Sequence, residues 1–231
     1  MCNLYSMTAT RDAVIRLFRV GHNRAAAFDP VSAIFPGHTA PVVRLADDGD
    51  RELVMMSWGF VLPQTDKAAK RVTNARDDKV RASAFWRSSL VERRCLVPVT
   101  SFSEPKGRSP AVWHWFGLDE IRTPFAFAGI WRSFKGKLKS DSEEVELQTY
   151  AFLTTTPNAV VRPIHPSRMP VMLSNADDMQ MWLEGSPEQA FGLARPYADD
   201  GMSVLQAGAM KEDLLGIDGS VDELEPFGRL L

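Results

Sequence analysis

Cysteine and histidine are scarce in this sequence, and their scarcity removes several chemistries at once. The 231 residues contain two cysteines, Cys2 and Cys95, and four widely separated histidines, His22, His38, His114 and His165. Two cysteines make no disulfide framework, which points to a reducing compartment. Scattered histidines with so few thiols argue against a structural zinc site. A Gly-rich phosphate loop, a His-Glu-x-x-His and a Cys-x-x-Cys are all missing, so no cofactor or metal is expected. No apolar run approaches the ~18 residues of a membrane span. The N-terminus has no basic segment followed by a long apolar one, so a cytoplasmic location is expected. No repeat and no linker divides the chain, and one domain over 1–231 is expected.

Net charge is also small, at −2, but it is unevenly spread. Residues 1–140 hold 22 Lys and Arg against 13 Asp and Glu, whereas residues 141–231 hold 5 against 16. A basic first part can face a polyanion even when the whole protein is slightly acidic. Residues 212–231 carry six acids and one arginine and read as a loose acidic tail.

What is present is a series of short strands. Thr8 or Thr10 caps a helix to about Arg19, with Ala13, Val14, Leu17 and Phe18 on one face. Val31–Phe35, Pro41–Leu45, Glu52–Trp58, Cys95–Val99, Ala111–Phe116, Phe125–Trp131, Glu146–Thr154 and Met169–Leu173 read as strands. Residues 60–78 show charge without periodicity. Lys79–Leu90 reads as one helix, a helix capped by Ser174 follows residue 173, and Pro187 opens another. Strands outnumber helices and do not alternate with them. The expected class is α+β, with a mostly antiparallel, barrel-like sheet core and peripheral helices.

Four stretches carry chemistry. Cys2 follows a methionine that its small side chain allows to be removed. As an N-terminus it would hold an amine and a thiol two carbons apart, a pair that condenses with an aldehyde and closes a thiazolidine. The model amine titrates at about 7.7–8.0, so roughly a tenth is neutral at pH 7. Thr73-Asn74-Ala75-Arg76 lies in residues 67–94, where nine basic residues face three acids. Asn74 both donates and accepts, and Arg76 presents a fork to phosphate. Glu104 follows the apolar strand 95–99, where a carboxyl can acquire a raised pKa and serve as acid or base. His165 is held between prolines at 163 and 166. Any of the four alone is as readily structural, and spacing does not bring them together.

Taken in order, Met1-Cys2, Trp58-Gly59, Asn74-Ala75-Arg76, Arg94–Pro98 leading to Phe102 and Glu104, Thr154-Thr155, and His165 with Arg168–Val171 resemble the SOS-response-associated peptidase (SRAP) family, over roughly residues 2–183. The resemblance implies a DNA-repair protein that recognises abasic sites in single-stranded DNA, including junctions with duplex, and traps them covalently. Cys2 would form the thiazolidine after loss of Met1. Asn74 would position the sugar or amine, Glu104 would move protons, and His165 would help open the sugar ring. Self-removal of Met1 and lyase-like chemistry are implied as well. Arg76, with Arg71, Arg81 and Arg168, would meet DNA, and a monomer is expected. Asn3, Leu4, Gln64 and Pro105 depart from the pattern, and all four bear on DNA contacts. Two other readings stay open: a thiol peptidase or N-terminal-nucleophile amidohydrolase using Cys2, and a non-covalent DNA-binding module.

Overall fold

The computed structural model describes residues 2–25, 27–64, 67–139 and 141–213. In chain order the strands and helices are β1 (Tyr5–Met7), α1 (Arg11–Leu17), β2 (His22–Asn23), β3 (Val31–Ile34), β4 (Thr39–Leu45), β5 (Arg51–Trp58), β6 (Phe60–Gln64), β7 (Lys67–Val72) and β8 (Asn74–Arg76). Then come α2 (Asp77–Val80), α3 (Ala84–Glu92), β9 (Arg94–Val99), β10 (Ser101–Lys106), β11 (Val112–Gly117), β12 (Phe125–Lys137) and β13 (Glu144–Thr155). The last are β14 (Met169–Pro170), β15 (Met172–Leu173), α4 (Ala176–Glu184), α5 (Pro187–Gly192) and β16 (Ser203–Gly208).

Five strands close a barrel. β12 pairs with β13 and β9, β9 with β4, and β4 with β5, all antiparallel, and β5 returns to β13 through the parallel pairs Ser57↔Thr149 and Trp58↔Tyr150. Closure removes the open edges that an isolated sheet would expose. A second sheet, ordered β16-β11-β10-β1-β3, packs beside it. Tyr5 of this sheet meets Trp58, Phe127 and Phe152 of the barrel, and Phe102 meets Phe127, all edge-on with centroids 5.1–6.3 Å apart. All five rings are fully buried, so this aromatic seam joins the two sheets. Gly129 is required where β12 crosses β9, because a Cβ there would lie 2.7 Å from Cys95 Sγ. Among the described residues, no helix is long and apolar enough to cross a membrane.

The α+β, barrel-centred architecture expected from the sequence is present, and several local expectations are corrected. Thr10, not Thr8, caps α1, accepting from the Ala13 amide, while the Thr8 hydroxyl and amide both bond Thr100. Residues 60–64 and 67–78 are not irregular: they form the antiparallel pair β6 and β7, then β8 and the start of α2, and the mixed Lys/Ala/Arg composition of β7 hides a strand that solvent touches on both faces. The helix over 79–90 is two short helices broken at residues 81–83. Asn175 replaces Ser174 as the cap of α4. Residues 101–104 belong to strand β10. Asp213 is not in a loose tail: it is completely buried and ion-paired to Arg122 at 2.7 Å. The remainder of that expected tail, from residue 214, lies outside the described residues.

Candidate active site

The site forms where three strands converge. β1 and β10 are antiparallel, and the Ser103 amide donates to the Leu4 carbonyl at 2.9 Å, which carries Cys2 to the level of Glu104. β8 lies parallel to β13 with Asn74 opposite Phe152. The Trp58 indole donates to the Thr73 carbonyl at 3.3 Å and fixes the backbone just before Asn74. Gly59, at φ +102, lets the chain turn away here. A Cβ on it would sit 3.0 Å from Arg71 Cβ and 3.4 Å from Thr73 Cγ2.

Both protons of the Asn74 amide are used. Nδ2 donates to the Cys2 carbonyl at 2.9 Å and to Thr73 Oγ1 at 2.8 Å. Thr73 Oγ1 in turn donates to Asn3 Oδ1 at 3.3 Å. A flipped amide would set two acceptors against each other at Cys2, so the network determines the orientation. Among the described residues, Asn74 Oδ1 is left buried with no hydrogen-bond partner. Glu104 Oε1 is in the same condition, and Glu104 is 1% exposed. Two buried acceptors without donors, both beside Cys2, are costly in a folded protein unless a ligand or reacting group satisfies them.

Burial sets the titration of the site. The Glu104 carboxyl is pushed up to about 7, because the low-polarity surroundings disfavour its charge. The Cys2 thiol is raised well above its ordinary value, first by burial and then by the nearby Glu104 carboxylate. The thiol donates to the Leu4 carbonyl at 3.5 Å. His165 is depressed by burial, so at neutral pH it is an uncharged imidazole. Its Nδ1 lies 2.8 Å from the Arg168 carbonyl, which only accepts, so Nδ1 carries the proton. The Arg168 amide lies farther from the same nitrogen, at 3.4 Å. Nε2 therefore presents its lone pair 3.9 Å from Glu104 Oε2.

The turn that carries His165 is braced from beneath. The Val161 amide donates to Asn158 Oδ1 at 3.0 Å, and the His165 amide to the Val161 carbonyl at 2.9 Å. Arg168, 7% exposed, reaches under the turn to the Asp77 carboxylate at 2.5 Å and to the Thr154 carbonyl.

Cys2, Asn74, Glu104 and His165, separate in the sequence, are thus one cluster. The four arginines fare differently. Arg76 is exposed and held in a fork by Asp78 at 2.6 and 2.9 Å. Arg81 is exposed and lies over the Phe191 ring at 5.0 Å. Arg71 is half-buried and donates to the Gly59 carbonyl at 3.0 Å. Arg168 faces inward, its guanidinium committed to Asp77 and Thr154. Sequence reasoning missed the Asn3–Thr73 relay. The only available signal was the hydroxyl of Thr73 next to Asn74.

Fold and site together define a class: a closed small β-barrel with a side sheet that delivers a second-position cysteine to an Asn, a Glu and a His. The chain belongs to the SOS response associated peptidase (SRAP) family, whose sequence model matches residues 1–209. It is 27% identical over 221 residues to the abasic site processing protein YoqW of Bacillus subtilis, covering 91% of this chain and 93% of that one. It is also 27% identical to the abasic site processing protein YoaM of the same organism, over 91% and 92% of the two chains. A solved structure from Bordetella bronchiseptica superposes with a TM-score of 0.71 at 23% identity, covering 90% of this chain and 99% of that one. One from Bacteroides thetaiotaomicron gives 0.70 at 19% identity, covering 94% and 99%. At those identities the two structures establish the fold alone.

Proposed function

We propose that this protein processes abasic sites in DNA by forming a covalent link through Cys2. The carrying observation is the pair of unpartnered buried acceptors, Asn74 Oδ1 and Glu104 Oε1, around the cysteine. The names of the relatives agree with such a substrate.

Loss of Met1 frees the Cys2 α-amine. Its nitrogen attacks the C1′ aldehyde of the ring-opened sugar, giving a carbinolamine. Protonated Glu104 donates a proton to the departing hydroxyl, and water leaves as the imine forms. Sulfur then adds to the imine carbon, whose nitrogen has kept its proton, while the thiol proton passes to the Glu104 carboxylate and restores the acid, and the thiazolidine closes. The net change is loss of one water. A carboxyl with a pKa of about 7 exists in both forms at neutral pH, as donating and then accepting requires. Asn74 Oδ1 is an acceptor for an amine N–H. Neutral His165 is a proton acceptor beside Glu104 and the near partner for the sugar-ring oxygen. Assistance in the release of Met1 is assigned to the same carboxyl. Unpaired DNA is the favoured substrate form, because an extruded sugar must reach a nearly enclosed cysteine.

A thiol-peptidase reading draws less support from the electrostatics. A thiol titrating at 9 is only about 1% thiolate at pH 7, and burial raises Cys2 well above that value. Attack by the amine first avoids the difficulty.

The test is a denaturing gel of the purified protein with a single-stranded oligonucleotide bearing one abasic site, beside Cys2→Ala and an intact oligonucleotide. Mass spectrometry of the protein reports whether Met1 is present. A heat- and detergent-stable shifted band that needs both the lesion and Cys2 supports the reading. Its absence from protein lacking Met1 overturns it.

A further inference from the structure

A second charged feature lies away from the site just described. The β6–β7 hairpin and the tip of the β12–β13 hairpin stand side by side, tied by the Ala69 amide donating to the Leu138 carbonyl at 2.8 Å. Between them is a cleft of about 350 Å³, lined among the described residues by Lys67, Lys135, Lys137 and Lys139 and by no carboxylate. Pro63, Ala69 and Phe134 also line it. The four lysines are exposed. Lys135 lies 3.8 Å from Glu144, a loose surface pair. Lys67, Lys137 and Lys139 form no ion pair among the described residues. Glu144 is the cross-strand partner of Lys137 in backbone register, but its carboxylate turns to Lys135.

Strand β7 links the cleft to the site. Alternate residues of a strand share a face, which places Lys67, Ala69, Arg71 and Thr73 on one side of β7 and its extension. Two contacts anchor this line. Thr73 and Arg71 both flank Gly59, and Thr73 bonds Asn74 and Asn3, while Lys67 and Ala69 line the cleft. Six residues at about 3.3 Å each put the cleft about 20 Å from the site.

We propose that this cleft is a second anion-binding site, which takes the phosphates of the unpaired DNA strand flanking the lesion. The proposal rests on the abasic-site reading above. Lysines give sequence-independent phosphate contacts, and apolar lining residues suit unpaired bases, which a duplex keeps stacked inside.

The experiment measures affinity for intact single strands by fluorescence anisotropy as salt is raised from 50 to 200 mM. It compares the unmutated protein with the triple variant Lys67→Ala, Lys137→Ala, Lys139→Ala. Each phosphate contact to a single strand contributes a slope of about −0.7 in log K against log salt. The variant's slope is expected to be shallower by about 2, so over this fourfold range it loses about 16-fold less affinity than the parent. The triple Lys→Arg variant is expected to keep the parental slope, and matching thermal melts show that folding is unaffected. An unchanged slope in the Lys→Ala variant overturns the proposal, as does an equal reduction in the Lys→Arg variant. The measurement uses undamaged DNA without cross-linking. Failure of the gel assay would therefore overturn the abasic-site reading and leave the cleft's phosphate binding to be judged by its own slope.

Discussion

The side-chain amide of Asn74 donates to the backbone carbonyl of Cys2 at 2.9 Å, across 72 residues of sequence. This bond positions the cysteine that the proposed chemistry uses, and it leaves the amide oxygen without a partner among the described residues. Asn74→Ala is expected to slow cross-linking by about 10- to 100-fold, corresponding to the roughly 1–3 kcal/mol lost when a buried group is left unpaired. Thr73→Val is expected to slow it less and Thr73→Ser to retain the parental rate, because only the hydroxyl holds the amide's second proton. Time courses on denaturing gels measure all three.

Glu104 couples the site to pH. Its carboxyl rises from 4.5 to about 7 on folding, so between those values the folded protein binds a proton that the unfolded chain has released. Stability from this group is complete below about pH 4.5 and is lost as pH rises through 7. Glu104→Gln is expected to raise stability at pH 8 by up to about 3 kcal/mol, read by denaturant melts at pH 5 and 8. The same variant is expected to lose about 10²- to 10⁴-fold in cross-linking rate, together with the inflection near pH 7. Equal stability changes at both pH values would contradict the burial argument.

His165→Ala removes the acceptor 3.9 Å from Glu104. The cross-linking rate is expected to fall by about 10²-fold. Added imidazole is expected to restore part of it, since the missing group transfers a proton and does not bind substrate. Failure of imidazole over a range of concentrations would point to a role in shaping the turn.

Arg168 and Arg76 are expected to separate cleanly. Arg168→Ala strips a buried carboxylate partner from beneath the His165 turn, at a cost of about 3 kcal/mol or about 6–12 °C in Tm. It is expected to leave the salt slope of DNA binding unchanged. Arg76→Ala is expected to leave Tm within a few degrees, its pair with Asp78 being exposed, and to make the slope shallower by about 0.7. Calorimetry and salt titration of both variants check this.

Asp213 accepts from Arg122 through both carboxylate oxygens, each at 2.7 Å, and from the Ser101 hydroxyl at 2.5 Å. Truncation after Met210 strands the Arg122 charge and is expected to cost about 3–5 kcal/mol more than truncation after Asp213. Thermal melts of the two shortened proteins distinguish the anchor from the segment beyond it.

The sequence by itself determined the chemical groups and the class of fold. A cysteine at position 2 has its amine and thiol within one residue, so that reactivity is a local property. Strand-rich, non-alternating patterning was enough for an antiparallel α+β core, because burial of alternate residues is written along each strand. Local cues failed where the stabilising contacts are distant. The β6–β7 hairpin has no apolar alternation to announce it, since it packs against the β12–β13 hairpin. Asp213 reads as tail until Arg122, 91 residues away, is seen to bury it. Only the tertiary structure decided that Cys2, Asn74, Glu104 and His165 meet, that Arg168 turns inward, and that Glu104 titrates near 7. The register between β1 and β10 and the closure of the barrel through β5 and β13 set those distances. The exclusion of water that shifts the carboxyl belongs to the assembled interior and to no segment of the chain alone.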